Sequence, residues 1–208
     1  VLTLRTFIAQ HVQIYTRRAT ALPGILFWFH TCMFIALLTF VPRLMSDSDR
    51  ASLAFIMPLC GVAGTFVAGV LAQFFITPVR LTALCFAFVG VTAIGLPWMV
   101  AIGAVVPAAL GLLFVSGLVQ GSVFTTVPYL ARQPEDQAYS HGAVAQLGNL
   151  GATVGPPVIA WYVDGYGLNG MVIPVLVLAL TGMALALWAS RGGSERRAGP
   201  NVLLPETR

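Results

Sequence analysis

Residues 81–131 read LTALCFAFVGVTAIGLPWMVAIGAVVPAALGLLFVSGLVQGSVFTTVPYLA, 51 consecutive positions without Asp, Glu, Lys or Arg. As one straight helix this run would be roughly 77 Å long at about 1.5 Å per residue. The hydrocarbon core of a bilayer is only about 30 Å thick. The run must therefore turn, and Gly95, Pro97, Gly103 and Pro107 cluster where the turn should fall. It is read as two membrane crossings.

The neighbouring gaps between charges hold one crossing each. There are 24 uncharged residues between Arg18 and Arg43, 29 between Arg50 and Arg80, 27 from Gln137 to Val163 and 26 from Gly165 to Ser190. A crossing needs about 20 apolar residues in helix. The sequence thus predicts an all-α membrane protein with six transmembrane helices, near 20–42, 51–76, 80–99, 104–130, 138–163 and 169–190. An even number puts both termini on one side. Nine of the eleven Arg fall on that side and only Arg43 and Arg50 on the other, so the positive-inside rule puts both ends in the cytoplasm.

Composition agrees. Of 208 residues, 58% are hydrophobic and 9% charged, with a mean hydropathy of +0.87. A soluble domain carries about a quarter charged residues, so this chain lacks the polar surface to cover a ball in water. The net +4 comes from Arg alone, with no basic run interleaved with aromatics, so a nucleic-acid partner is not expected. Cys32, Cys60 and Cys85 sit in apolar runs without a paired motif. They read as packing residues, and no metal or cofactor is expected.

Residue 1 is Val, and no cleavable signal follows it; the chain reads as a piece of a longer one. Residues 1–18 mix apolar positions with Arg and Gln, which fits a cytoplasmic helix at the membrane surface or a linker. Residues 191–208, rich in Gly and Pro, read as a disordered cytoplasmic tail. Between them lies the bundle, 19–190.

Sliding the chain against itself by 87 positions brings Gly24-Ile25-Leu26-Phe27 onto Gly111-Leu112-Leu113-Phe114. Thr39 then falls on Thr126, Asp49 on Asp136, Gly61 and Gly64 on Gly148 and Gly151, and Gly95 on Gly182. The matches keep their order across three helices, which composition alone does not produce. A three-helix unit has odd parity, so its second copy enters the membrane upside down. The expectation is a 3+3 inverted repeat, about 19–100 and 104–190, an architecture of secondary transporters.

With six helices, cytoplasmic ends and this repeat, residues 1–190 resemble the C-terminal six-helix half of a major facilitator superfamily transporter. The stretch Tyr15-Thr16-Arg17-Arg18-Ala19-Thr20-Ala21-Leu22-Pro23-Gly24 is similar to the loop leading into that half. Gly148-Asn149-Leu150-Gly151-Ala152-Thr153-Val154-Gly155-Pro156 is similar to the family's GxxxGP pattern, here on the repeat-equivalent helix, so antiport is not implied. Gly69 through Arg80 is similar to its cytoplasmic G-x-L-A-D-R-x-G-R loop, with Gln73 in the acidic place. The resemblance implies a bacterial inner-membrane protein in the lipid bilayer. It implies a partner N-terminal six-helix half outside these residues and a small-molecule solute carried by alternating access.

Polar residues mark the helices that would border a path, since lipid-facing helices need none. The third and sixth spans offer almost none. Ser116, Gln120 and Thr126 fall near one face of the fourth span, and Gln146, Asn149 and Thr153 recur at helical spacing on the fifth. These amides either line a path or bond to a neighbouring helix. Gly148, Ala152 and Gly155 form a small-residue seam suited to close packing.

His30 is the sole titratable group well inside a span. It could relay protons or simply hydrogen-bond between helices. Phe34 and the aromatics beside it could stack on an organic solute, or only pack. Pro156 and Pro157 must disturb the fifth helix and could act as a hinge or set a kink. No Asp or Glu lies inside any span, so the walls read as neutral and aromatic, suited to weakly charged organic solutes, efflux included. An intramembrane enzyme is disfavoured. Ser116-Gly117 follows Phe114-Val115 instead of the glycine a rhomboid-type protease needs, and the last span has no His. A truncated half with a structural role is the remaining alternative.

Overall fold

A computed structural model describes residues 4–191 of the chain. Every regular element among them is helical. α1 runs Leu4–Thr16, α2 Arg18–Phe40, α3 Asp47–Phe74, α4 Pro78–Ala101, α5 Val105–Leu130, α6 Pro134–Tyr166 and α7 Val172–Arg191. Single 3₁₀ turns, Val41–Leu44 and Leu168–Met171, follow α2 and precede α7. The tail expected over 191–208 lies, apart from Arg191, outside the described residues.

Local chemistry sets the helix ends. The hydroxyl of Ser46 accepts the amide of Asp49 at 3.3 Å, and Asp47 and Asp49 add negative charge to the first turn of α3. Pro78 and Pro134 open α4 and α6, where a missing N–H costs nothing. The 51-residue run does turn, at Ile102–Ala104. Gly103 makes the reversal with φ +78°, a conformation only glycine adopts cheaply. Gly95 and Pro97 instead lie within α4, and Pro107 sits in the first turn of α5, where proline is tolerated.

Among the described residues five stretches are long and apolar enough to cross a membrane: Arg18–Leu44, Leu53–Phe74, Pro78–Ala101, Val105–Leu130 and Leu168–Arg191. This is a multi-pass membrane protein. α6 has 33 residues, about 50 Å at 1.5 Å per residue, ample for a crossing. Even its most apolar stretch carries Gln146 and Asn149, the glycines Gly148, Gly151 and Gly155, and the prolines Pro156 and Pro157, whose low hydropathy keeps it below the other spans.

α2 packs along α6, α3 along α5, and α4 against both α5 and α7, while α2 also touches α5 and α7. Leu26, Met33 and Leu37 of α2, Phe86 and Val89 of α4, and Leu112, Leu113 and Val119 of α5 are fully buried among these contacts. Phe55, Phe66 and Phe74 on α3 and Phe88 and Trp98 on α4 point outward. Such a surface would aggregate in water and is suited to lipid.

Within the segment before the bundle, Leu4–Thr16 is helical. Extended backbone at Arg17 separates α1 from α2, and α1 turns back against α2 and α6. Its Ile8 and Val12 are exposed.

Candidate functional site

Two glycine seams bring helix backbones close enough to fix the floor of the site. On the α3–α5 seam, a Cβ at Gly64 would strike the carbonyl oxygen of Phe114, and one at Gly117 would strike the backbone of Gly61. On the α2–α6 seam, Gly148 abuts the Phe27 ring, Gly151 the backbone of Trp28 and the hydroxyl of Thr31, and Gly155 the backbone of Cys32. Without an apolar driving force between helices in lipid, small residues permit the close contact that holds a bundle together. The seam anticipated at Gly148 and Gly155 is there, with Gly151 rather than the half-buried Ala152 as its middle member.

Between the seams, α2 and α5 cross. Phe27, His30 and Phe34 follow one another at three and four residues along one face of α2. Phe124 on α5 joins them. The ring centroids stand 5.1 Å apart for Phe124 and Phe27, 5.5 Å for Phe27 and His30, and 5.2 Å for His30 and Phe34. These are ordinary aromatic contact distances. The phenyl rings are half-buried, whereas His30 is fully buried. The Gln120 side chain on α5, also half-buried, is turned toward the imidazole. Neither imidazole nitrogen, however, completes a hydrogen bond of acceptable geometry. A buried polar atom without a partner is uncommon and calls for an explanation.

The remaining site residues separate into two places. Ser116 and Thr126 face inward and are fully buried. The Thr126 hydroxyl donates to the Val123 carbonyl at 2.6 Å, and Ser116 Oγ has no partner. Gln146, Asn149 and Thr153 line an exposed face of α6. Thr153 donates to the Asn149 carbonyl at 2.8 Å. Gln146 is tied to α1: the Tyr15 hydroxyl donates to its Oε1 at 2.7 Å, and its Nε2 lies 3.4 Å from His11 Nε2. Burial raises the Tyr15 phenol above its ordinary value. α6 stays helical through Pro156 and Pro157, and neither proline supplies an N–H to the preceding turn.

His30, Phe34 and Gln120 therefore come together, joined by Phe27 and by Phe124. Phe124 lies four residues beyond Gln120 on the same face of α5, the spacing by which it could have been found in the sequence. Among the described residues no three His, Cys, Asp or Glu side chains assemble into a possible metal site. No protein-family model matches the chain, and no curated protein is similar to it.

Proposed function

We propose that this chain is one six-helix half of a secondary transporter of the major facilitator type, built as a 3+3 inverted repeat and carrying a small organic solute by alternating access. The observation that carries the reading is the pattern of helix pairing. Under the 87-residue offset α2 corresponds to α5, α3 to α6 and α4 to α7. Exchanging the partners turns the α2–α6 contact into the α5–α3 contact, and these are the two most extensive in the bundle. The α4–α7 and α2–α5 contacts map onto themselves. The seams correspond too: Gly61 and Gly64 against α5 are the counterparts of Gly148 and Gly151 against α2. Two units of opposite orientation joined by such matching contacts can exchange shapes, which gives inward- and outward-open states of similar energy.

Two cross-contacts support a sixth crossing by α6. Arg17 pairs with Asp136 at 3.0 Å, and Arg18 donates to the Ala189 carbonyl while lying over the Trp188 ring. The starts of α2 and α6 and the end of α7 thus share one end of the bundle. Five alternating helices cannot return the chain to that end; six can. By the arginine distribution this end is cytoplasmic, in a bacterial inner membrane. A second six-helix half would meet the polar face of α6.

Reporter fusions test the topology: positions 131–137 and both ends should report from the cytoplasm. Co-expression with a six-helix N-terminal half, followed by solute flux in vesicles, tests transport. Gln146→Leu and Asn149→Leu should lower flux while leaving membrane insertion intact. Flux unchanged in both variants would reduce the amides to packing groups and remove α6 from the path.

A further inference from the structure

Resting on that reading, we infer that the α2–α5 crossing is a binding site for an uncharged, planar aromatic solute bearing a hydroxyl or similar hydrogen-bonding group. Phe27, Phe34 and Phe124 supply its stacking faces, and His30 and Gln120 its polar contacts. Three observations converge on this class. The first is the ladder of four rings with centroids 5.1 to 5.5 Å apart, whose phenyl members are half-buried and so present ring surface to an incoming planar group.

The second is the imidazole inside that ladder. A neutral imidazole offers one N–H donor and one acceptor nitrogen, and here both are buried and neither completes a hydrogen bond of acceptable geometry, although Gln120 is turned toward the ring. An unsatisfied buried polar atom destabilises the state that contains it, so a partner reaching it binds more tightly than shape alone would give. A hydroxyl both donates and accepts, and Gln120 can take up whichever role the imidazole leaves.

The third is charge. From Ala19 to Phe40 and from Val105 to Leu130 there is no Asp, Glu, Lys or Arg. An ionic solute would be stripped of water against these helices with no counter-charge on them, at heavy cost. A neutral solute avoids that cost. The Phe34 ring stacked on His30 rests on the bare backbone of Gly61, where an added Cβ would come within 3.3 Å of it.

The test uses the full chain in lipid nanodiscs, with empty nanodiscs as background. The probes are radiolabelled 2-naphthol, naphthalene, 2-naphthoate and 2-naphthyltrimethylammonium at neutral pH. Saturable 2-naphthol binding is expected, at least tenfold tighter than that of the other three. His30→Leu and Gln120→Leu, on separate helices, should each weaken it about tenfold, the worth of one buried hydrogen bond, while the exposed His141→Leu leaves it unchanged. Equal binding of naphthalene and 2-naphthol, or tighter binding of either ion, overturns the assignment on the wild-type chain alone. So does 2-naphthol binding that survives both Leu variants. Flux in vesicles is read separately. Saturable binding without flux in the paired halves defeats the transport reading and leaves the site standing. Flux of a solute indifferent to His30 and Gln120 does the reverse.

Discussion

Gly117 and Gly111 lie on the same helix, and replacing each by Ala separates packing from propensity. Either change adds one methyl group and gains the same helix propensity, about 0.5–1 kcal/mol. At Gly111 the new Cβ meets nothing within 4 Å. At Gly117 it would stand 2.7 Å from the carbonyl carbon of Gly61 and 2.8 Å from its Cα, with the carbonyl oxygen closer still. Those atoms are backbone and cannot swing aside, so α3 and α5 must move apart. Forcing a methyl into a packed contact costs about 1–3 kcal/mol. Propensity cancels between the two variants, so Gly117→Ala should be less stable than Gly111→Ala by about that amount, roughly 5- to 150-fold in the unfolding equilibrium. Reversible unfolding in mixed detergent micelles, followed by tryptophan fluorescence, measures the difference. Equal stabilities would show that the α3–α5 seam is not the tight contact described, and the argument from matching seams would fall with it.

The second seam should answer alike: Gly155→Ala, against the Cys32 backbone, should cost about 1–3 kcal/mol relative to Gly142→Ala on the same helix, where nothing lies within 4 Å, in the same micelle assay. Asp136→Asn breaks an ion pair whose side chains are 25% and 55% exposed, so it should change stability by less than about 1 kcal/mol, with the residue of the effect vanishing in high salt. A Tyr15 pKa raised on folding means the docked helix holds its proton more tightly than the free one. The contribution of Tyr15 to α1 docking is therefore complete below the unfolded value of 10.0 and fades as pH rises through the folded value. Spin labels on α1 and α6 should report constant distance from neutral pH to about 9 and separation above 10, and Tyr15→Phe should remove that pH dependence.

The helices were legible because charge among the described residues is confined to helix ends and the turns between them. The gaps between charges located every long helix to within a few residues, including the reversal hidden in the longest gap. Gly148 and Gly155 of the α6 seam were legible from helical spacing, but that spacing points to Ala152 as the middle member where Gly151 makes the contact. Ser116 and Thr126 were harder, because α5 is apolar all round and gives no amphipathic signal for which face is inward. Their hydroxyls bond within the helix or stay in the core, so polarity alone did not mark a path. Gln146 was harder still. Its partners, Tyr15 and His11, lie 131 and 135 positions away on a different helix, and no local pattern links such distant surface residues. Phe124 could have been found by its i, i+4 spacing from Gln120, but only its contact with the Phe27 ring shows why it matters.

Under the proposed repeat α3 and α6 correspond, yet their outward faces differ residue by residue. Leu59, Val62 and Phe66 on α3 take the places that Gln146, Asn149 and Thr153 take on α6, and all six are exposed. Lipid satisfies the first set and not the second. An amide left without a hydrogen-bonding partner in hydrocarbon costs several kcal/mol, and Gln146 meets only part of that need through α1. Equivalent positions with opposite chemistry therefore require different surroundings: the α3 face tolerates lipid, whereas the α6 face requires water or another protein surface. On the proposed arrangement, this asymmetry assigns the accessible side of the bundle to α6, so the Gln146 and Asn149 variants bear on transport more directly than any change on α3.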